Sequence, residues 1–88
     1  MPLKMKKVSF EELKSKAKNA VYVGATVNID DRSQIHGKNY NGEICYFKTQ
    51  NMRQAENTLL QTSRRSDNIH QESNVDDAAG YVYAIIQK

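Results

Sequence analysis

The chain has 88 residues, of which 39% are hydrophobic, and a formal net charge of +3. This length is typical of one small domain and leaves little room for a second, so we expect a single domain over residues 1–88. No apolar run approaches the ~20 residues of a membrane-spanning helix. The basic N-terminus also lacks the apolar stretch of a secretory signal, which makes a secreted protein an unexpected class.

The cysteine count and the placement of charge bear on the compartment and the partners. Cys45 is the single cysteine, so we expect a buried, reduced thiol in a cytoplasmic protein and neither an internal disulfide nor a Cys/His metal cluster.

Residues 1–18 contain six lysines and two glutamates, a net charge of +4, whereas the remainder carries −1. A positive end is compatible with nucleic-acid phosphates, but a lysine-rich solvated helix explains it equally well.

Helices and strands alternate in the predicted order. After a basic leader over residues 1–8, a capping box of Ser9 and Glu12 begins an N-terminal helix over residues 9–19. Then follow a strand over 21–27, a short helix over 30–36, a strand over 44–49, a helix from 51 to about 63–65, a loop over 66–79 and a strand over 80–87. This order predicts an α+β fold with a small three-stranded antiparallel sheet flanked by helices. Gly24 interrupts the first strand, which predicts a close approach of another group to its backbone.

Residues 21–36, which read VYVGATVNIDDRSQIH, combine groups suited to a phosphodiester. Tyr22 lies in the strand, and Arg32 and His36 stand four residues apart on the predicted helix, on one face. A guanidinium binds phosphate oxygens through paired donors, and an imidazole or a phenol can move a proton. Each residue alone has an ordinary structural explanation, so the joint spacing carries the functional hypothesis.

This stretch resembles the motif core of the GIY-YIG nuclease family. The matching positions, in order, are Tyr22, Gly24, Thr26, Asn28, Ile29, Arg32 and His36. The resemblance implies a metal-dependent endonuclease that hydrolyses phosphodiester bonds in DNA, with Tyr22, Arg32 and His36 as catalytic residues and Gly24 against the nucleic acid. The alternative is a catalytically inactive module of the same fold that binds nucleic acid or a protein.

Glu56 is the candidate metal ligand. It lies four residues from both Met52 and Leu60 on the predicted apolar stripe of its helix. A carboxylate at the edge of a buried face is costly unless it is paired or bound to a cation, although a surface glutamate would be unremarkable. The resemblance implies that Glu56 holds one divalent ion, Mg²⁺ or Mn²⁺, which would keep several waters and use substrate phosphate oxygens as further ligands.

The family's first motif, Gly-Ile-Tyr, does not precede Tyr22, but the string GYVYAII occurs at residues 80–86. Two explanations remain open. In the favoured one, the chain is circularly permuted, the helix over 9–19 is an addition, and the last strand pairs antiparallel with residues 21–27 and supplies Tyr81 or Tyr83. In the other, the first strand is lost and the last strand is an unrelated edge.

Four further residues are candidate contacts to nucleic acid. The candidates are Lys38, Arg64, Arg65 and Asn68, each of which also has a structural explanation as a loop residue or at a helix end. A homodimer is a further expectation, because a small sheet with an exposed edge invites pairing with a second copy.

Overall fold

The structure, a computed structural model, describes residues 3–62, 75 and 77–87. These residues form an α+β domain with four strands and three helices. In chain order the elements are β1 (Lys4–Lys7), α1 (Phe10–Ala17), β2 (Tyr22–Thr26), α2 (Ile29–His36), β3 (Gly42–Thr49), α3 (Met52–Thr62) and β4 (Gly80–Gln87). None of these helices has the length and apolar character needed to cross a membrane.

The C-terminal strand lies inside the sheet. The strand order is β1-β3-β4-β2, and β4 runs antiparallel to both of its neighbours. In the register with β2, Tyr83 is opposite Gly24 and Tyr81 is opposite Thr26. The predicted antiparallel pairing of the last strand with residues 21–27 is therefore confirmed, and β4 is not an edge strand.

The prediction of three antiparallel strands was wrong, because β1 is a fourth strand that pairs parallel with β3. It lies in the residues that we predicted to be a basic leader. The alternation of Leu3 and Met5 with Lys4 and Lys6 explains the difference, since the two apolar side chains pack into the core on one face and these two lysines lie on the other. The lysines dominate the composition of this segment and conceal its period of two.

The capping residues determine where the helices begin. The Ser9 hydroxyl accepts from the Glu12 amide at 3.2 Å, as the predicted capping box requires. The Asn51 side chain accepts from the Gln54 amide at 3.0 Å and begins α3 in the same way. Element bounds differ from the predictions by a few residues; α3 is described to Thr62, and most of the predicted loop over 66–79 lies outside the described residues.

The two faces of the sheet have different partners. Helices α1 and α3 cover one face, where Leu13 and Leu59 pack against Val82 and the buried Cys45. Burial raises the pKa of the Cys45 thiol, with a further contribution from Glu43. The opposite face carries Ile44 and Ile85 together with all five tyrosines of the chain. Among the described helices, α2 packs on this tyrosine-bearing face through Ile29 and His36.

Candidate functional site

Where β4 meets β2, the tyrosine-bearing face holds a buried pair of polar side chains, Tyr83 and His36. A Cβ atom added to Gly24 would lie 2.5 Å from the Tyr83 hydroxyl oxygen and 2.6 Å from Cζ, so the Tyr83 ring lies directly over the glycine backbone. The predicted close approach at Gly24 is confirmed. A glycine is needed here because any side chain would occupy the space of the phenol.

Tyr83 and His36 form a hydrogen bond between the phenol oxygen and Nε2, 2.9 Å apart. Tyr83 is 2% exposed and His36 is 8% exposed. Burial, and then the nearby Arg32 charge, lower the pKa of His36 below its ordinary value of 6.5. Burial and the neighbouring Tyr22 raise the pKa of Tyr83 above its ordinary value of 10.0. Both groups are therefore neutral at pH 7, and the bond joins a phenol to a neutral imidazole.

Two further tyrosines complete a ring cluster around His36. The Tyr22 centroid is 4.6 Å from that of His36, and the Tyr22 ring stacks on Tyr83 with centroids 6.3 Å apart. Tyr40 lies 6.1 Å from His36 and 6.2 Å from Tyr22. The sequence patterns indicated no role for Tyr40. A large aromatic in an Asn/Gly-rich loop, one turn beyond His36, was the available signal.

Arg32 and Glu56 carry opposite charges that both affect the pKa of Tyr83. Arg32 is exposed on α2, one turn before His36, and its guanidinium counteracts the rise in the pKa of Tyr83. Glu56 is 7% exposed on α3, which packs against β2. Its carboxylate contributes to the rise in the pKa of Tyr83. The two charges therefore act in opposite directions on one phenol, although they come from different helices.

The turn between β2 and α2 positions Arg32 and His36. The Thr26 hydroxyl accepts from the Asn28 amide at 3.1 Å, and the Asn28 side chain accepts from the Asp31 amide at 3.0 Å. Asn28 is thus the N-cap of α2 and satisfies one of the free amides of the first helical turn. Within the motif, Thr26 and Asn28 hold the backbone, while the chemistry belongs to residues on either side of them.

The structure brings together four of the predicted site residues, from two regions of the sequence: Tyr22, Arg32, His36 and Tyr83. A fifth, Glu56, affects Tyr83 through its charge. Tyr81 is on the same face, but its ring contacts Tyr46 at 5.8 Å rather than His36.

The remaining predicted contacts to nucleic acid are not part of this cluster. Lys38 is exposed in the turn after α2. Arg64, Arg65 and Asn68 lie outside the described residues. Within residues 3–62, 75 and 77–87, no three His, Cys, Asp or Glu side chains are grouped so that they could hold a metal ion.

A scan against protein-family models found no match, and neither did searches of curated proteins and of solved structures.

The buried imidazole makes the stability depend on pH. The folded pKa of His36 is lowered, so between that value and the unfolded value of about 6.5 the unfolded chain binds more protons. We expect the free energy of unfolding to be at its full value above about pH 6.5, to fall as the pH drops from there to the folded pKa of His36, and to level off below it. Urea unfolding between pH 8 and pH 5 measures this. His36→Gln should flatten the profile, and an equally steep profile in that variant would contradict the assignment.

Proposed function

We propose that this chain is a metal-dependent endonuclease of the GIY-YIG type, circularly permuted so that β4 supplies the tyrosine of the first motif. The observation that carries the proposal is the pairing of β4 with β2. It sets Tyr83 over Gly24 and within 2.9 Å of His36. The family resemblance requires a phenol from such a strand beside the helix that bears Arg32 and His36, and the chain supplies it from its other end.

Arg32 is the phosphate clamp in this proposal. Its exposure leaves the guanidinium accessible to a ligand, and its position beside His36 and Tyr83 brings a bound phosphate to the ring cluster. The planar fork can donate to two phosphate oxygens at once, which an ammonium group cannot do with the same geometry. The charge that develops on those oxygens in the transition state is thereby stabilised.

Tyr83 and His36 form the proton relay. A water placed at the Tyr83 hydroxyl gives its proton to the phenol oxygen while Tyr83 passes its own proton to Nε2 of His36. The water oxygen bonds to phosphorus as the bond to the leaving sugar oxygen breaks. Because burial disfavours the phenolate, a relay suits Tyr83 better than a standing anion. The relay requires the His36 tautomer with an unprotonated Nε2, and the lowered pKa keeps the ring neutral.

Glu56 is the residue that would hold Mg²⁺ or Mn²⁺. The donor set fits such an ion, since one buried carboxylate beside an exposed phosphate-binding arginine matches the preference of Mg²⁺ for few protein ligands, several waters and substrate phosphates. When bound, the ion supplies electrostatic stabilisation of the leaving oxygen. The charge of Glu56 also acts on the buried Tyr83 phenol, where it opposes the charge of Arg32.

The test is cleavage of supercoiled plasmid and of branched DNA in Mg²⁺ or Mn²⁺, with EDTA as the control. We expect cutting that stops in EDTA and that Arg32→Ala and Glu56→Gln each lower about 10²- to 10³-fold, the typical loss on removing one group that stabilises transition-state charge. Lys18→Ala removes an exposed cation at the end of α1 and should leave cutting unchanged. Circular dichroism of each variant establishes that it is folded.

The rival function is a nucleic-acid or protein-binding module that keeps the fold without the chemistry. Its signature is binding that ignores EDTA and Glu56→Gln, with no cutting of either substrate by the folded wild-type protein. That result would overturn the nuclease proposal and leave Arg32 as a phosphate contact.

A further inference from the structure

The tyrosine-bearing face continues beyond the ring cluster. Tyr46 of β3 and Tyr81 of β4 are half-buried, and their rings meet edge to face with centroids 5.8 Å apart and an interplanar angle of 72°. Of the three described helices, α1 and α3 lie on the other face. Among the described residues, these two rings therefore form a partly exposed aromatic surface beside Tyr83, on the face that α1 and α3 do not cover.

Two lysines flank the rings by strand register. Lys48 is opposite Tyr81, and Lys7 is opposite Tyr46. Directly paired residues point to the same face, and both lysines are exposed. The acidic residue of the described strands, Glu43, lies in register with Lys4 and Ile86, on the face that carries α1 and α3. We refer to Lys7, Tyr46, Lys48 and Tyr81 as the platform.

The platform adjoins the site along β4. Tyr81 precedes Tyr83 by two residues on one face, a separation of ~6.8 Å along an antiparallel strand. A stacked strand rises about 3.4 Å per nucleotide and an unstacked strand spans more, so one or two nucleotides cover this separation. A nucleotide that contacts Tyr81 therefore lies within one or two nucleotides of a phosphate held at Arg32.

We infer that the platform binds an unpaired nucleotide next to the scissile phosphate, so that the substrate is single-stranded or splayed nucleic acid rather than intact duplex. This inference rests on the proposed function and specifies its substrate class. In a duplex the faces of each base are covered by its neighbours, whereas an unpaired base can stack on an aromatic side chain. Aromatic rings interleaved with lysines are the usual composition of surfaces that bind single strands without sequence preference.

The experiment measures binding in EDTA, which separates recognition from cleavage. Fluorescence anisotropy compares a labelled oligothymidine of about 20 nucleotides with a labelled duplex of the same length, each at several salt concentrations. We expect the single strand to bind at least tenfold more tightly. Tyr81→Leu, which keeps an apolar side chain but removes the ring, should weaken single-strand binding roughly 5- to 100-fold, whereas Tyr81→Phe should not.

Lys48→Gln provides a second variant that does not disturb the core, since Lys48 is exposed. For the single strand, this substitution should reduce the magnitude of the negative slope of log K against log salt by about 0.7, the value for one phosphate contact. The control, Lys18→Gln, changes an exposed lysine at the end of α1 and should leave the slope unchanged. Equal affinity for both oligonucleotides would overturn the inference, as would wild-type binding by both Tyr81→Leu and Lys48→Gln.

The outcome is separable from that of the proposed function. Metal-dependent cutting of intact duplex that tolerates Tyr81→Leu would overturn the platform and leave the nuclease standing. Single-strand binding that depends on Tyr81, with no cutting in Mg²⁺ or Mn²⁺, would support the platform and overturn the nuclease.

Discussion

Replacing Tyr83 by Phe is expected to lower the rate of DNA cleavage about 10²- to 10⁴-fold, the usual range for loss of a proton-transfer group. The substitution removes one oxygen atom, the one that lies 2.9 Å from His36 Nε2. The ring itself stays, so the packing over Gly24 and the contact with Tyr22 are retained. The measurement is single-turnover cleavage, which excludes product release from the observed rate.

Tyr81→Phe is the matched control for this prediction. Tyr81 has the same side chain, on the same face of the same strand, but its ring contacts Tyr46 instead of His36. Its cleavage rate should stay within about twofold of wild type, because no step of the relay uses its hydroxyl. Equal losses in the two variants would show that the effect comes from a general disturbance of β4, and a wild-type rate in Tyr83→Phe would remove Tyr83 from the chemistry.

The second large effect is expected at Gly24. In Gly24→Ala the new methyl group would meet the Tyr83 phenol at 2.5–2.6 Å, so the ring must move and its bond to His36 must lengthen or break. Overpacking of this kind costs about 1–3 kcal/mol of the free energy of unfolding. In a domain of this size each kcal/mol lowers the melting temperature by about 4–8 °C. Cleavage should fall as well, measured at a temperature where the variant is folded.

Gly80→Ala separates the loss of a glycine from the displacement of Tyr83. A Cβ at Gly80 would meet the Met52 side chain, which has a flexible thioether that can turn aside at small cost. We expect a smaller loss of stability in Gly80→Ala and unchanged cleavage, since Gly80 alternates with Tyr81 and Tyr83 along β4 and so lies, like Val82, on the face that carries α1 and α3. Thermal unfolding of both variants tests this, since the melting temperature should fall further in Gly24→Ala than in Gly80→Ala. A Gly24→Ala protein with the wild-type melting temperature and the wild-type cleavage rate would contradict the close packing of Tyr83 over Gly24.

Local patterns in the sequence were sufficient where short-range contacts determine the structure. Ser9 and Asn51 begin their helices through hydrogen bonds to amides three residues away. The β-branched and aromatic runs around residues 22–26 and 80–87 form strands. Arg32 and His36 share a helix face because they are one turn apart on α2. Such effects depend on residues that are only a few positions apart, so they can be identified from the sequence alone.

The placement of partners across the sheet depended on contacts that are distant in sequence. Nothing local indicated that Met5 and Lys7 would join β3 as a parallel strand, because parallel pairing needs a partner from beyond an intervening crossover. Tyr40 entered the ring cluster for the same reason. Sequence alternation put Tyr81 and Tyr83 on one face but left both as candidates. The register with Gly24 selected Tyr83, which alone of the two reaches His36.

The sequence by itself therefore determined the α+β class, the helix starts, the buried Cys45 and the residue types of the site. Only the tertiary structure decided that β4 lies between β2 and β3, that the charges of Glu56 and Arg32 act on the same phenol, and that His36 and Tyr83 are both buried and neutral. The physical reason is that propensity and capping act over one or two turns. Burial, strand register and electrostatic coupling depend instead on groups that are far apart in the sequence, such as His36 and Tyr83 or the paired strand residues Tyr22 and Ile85.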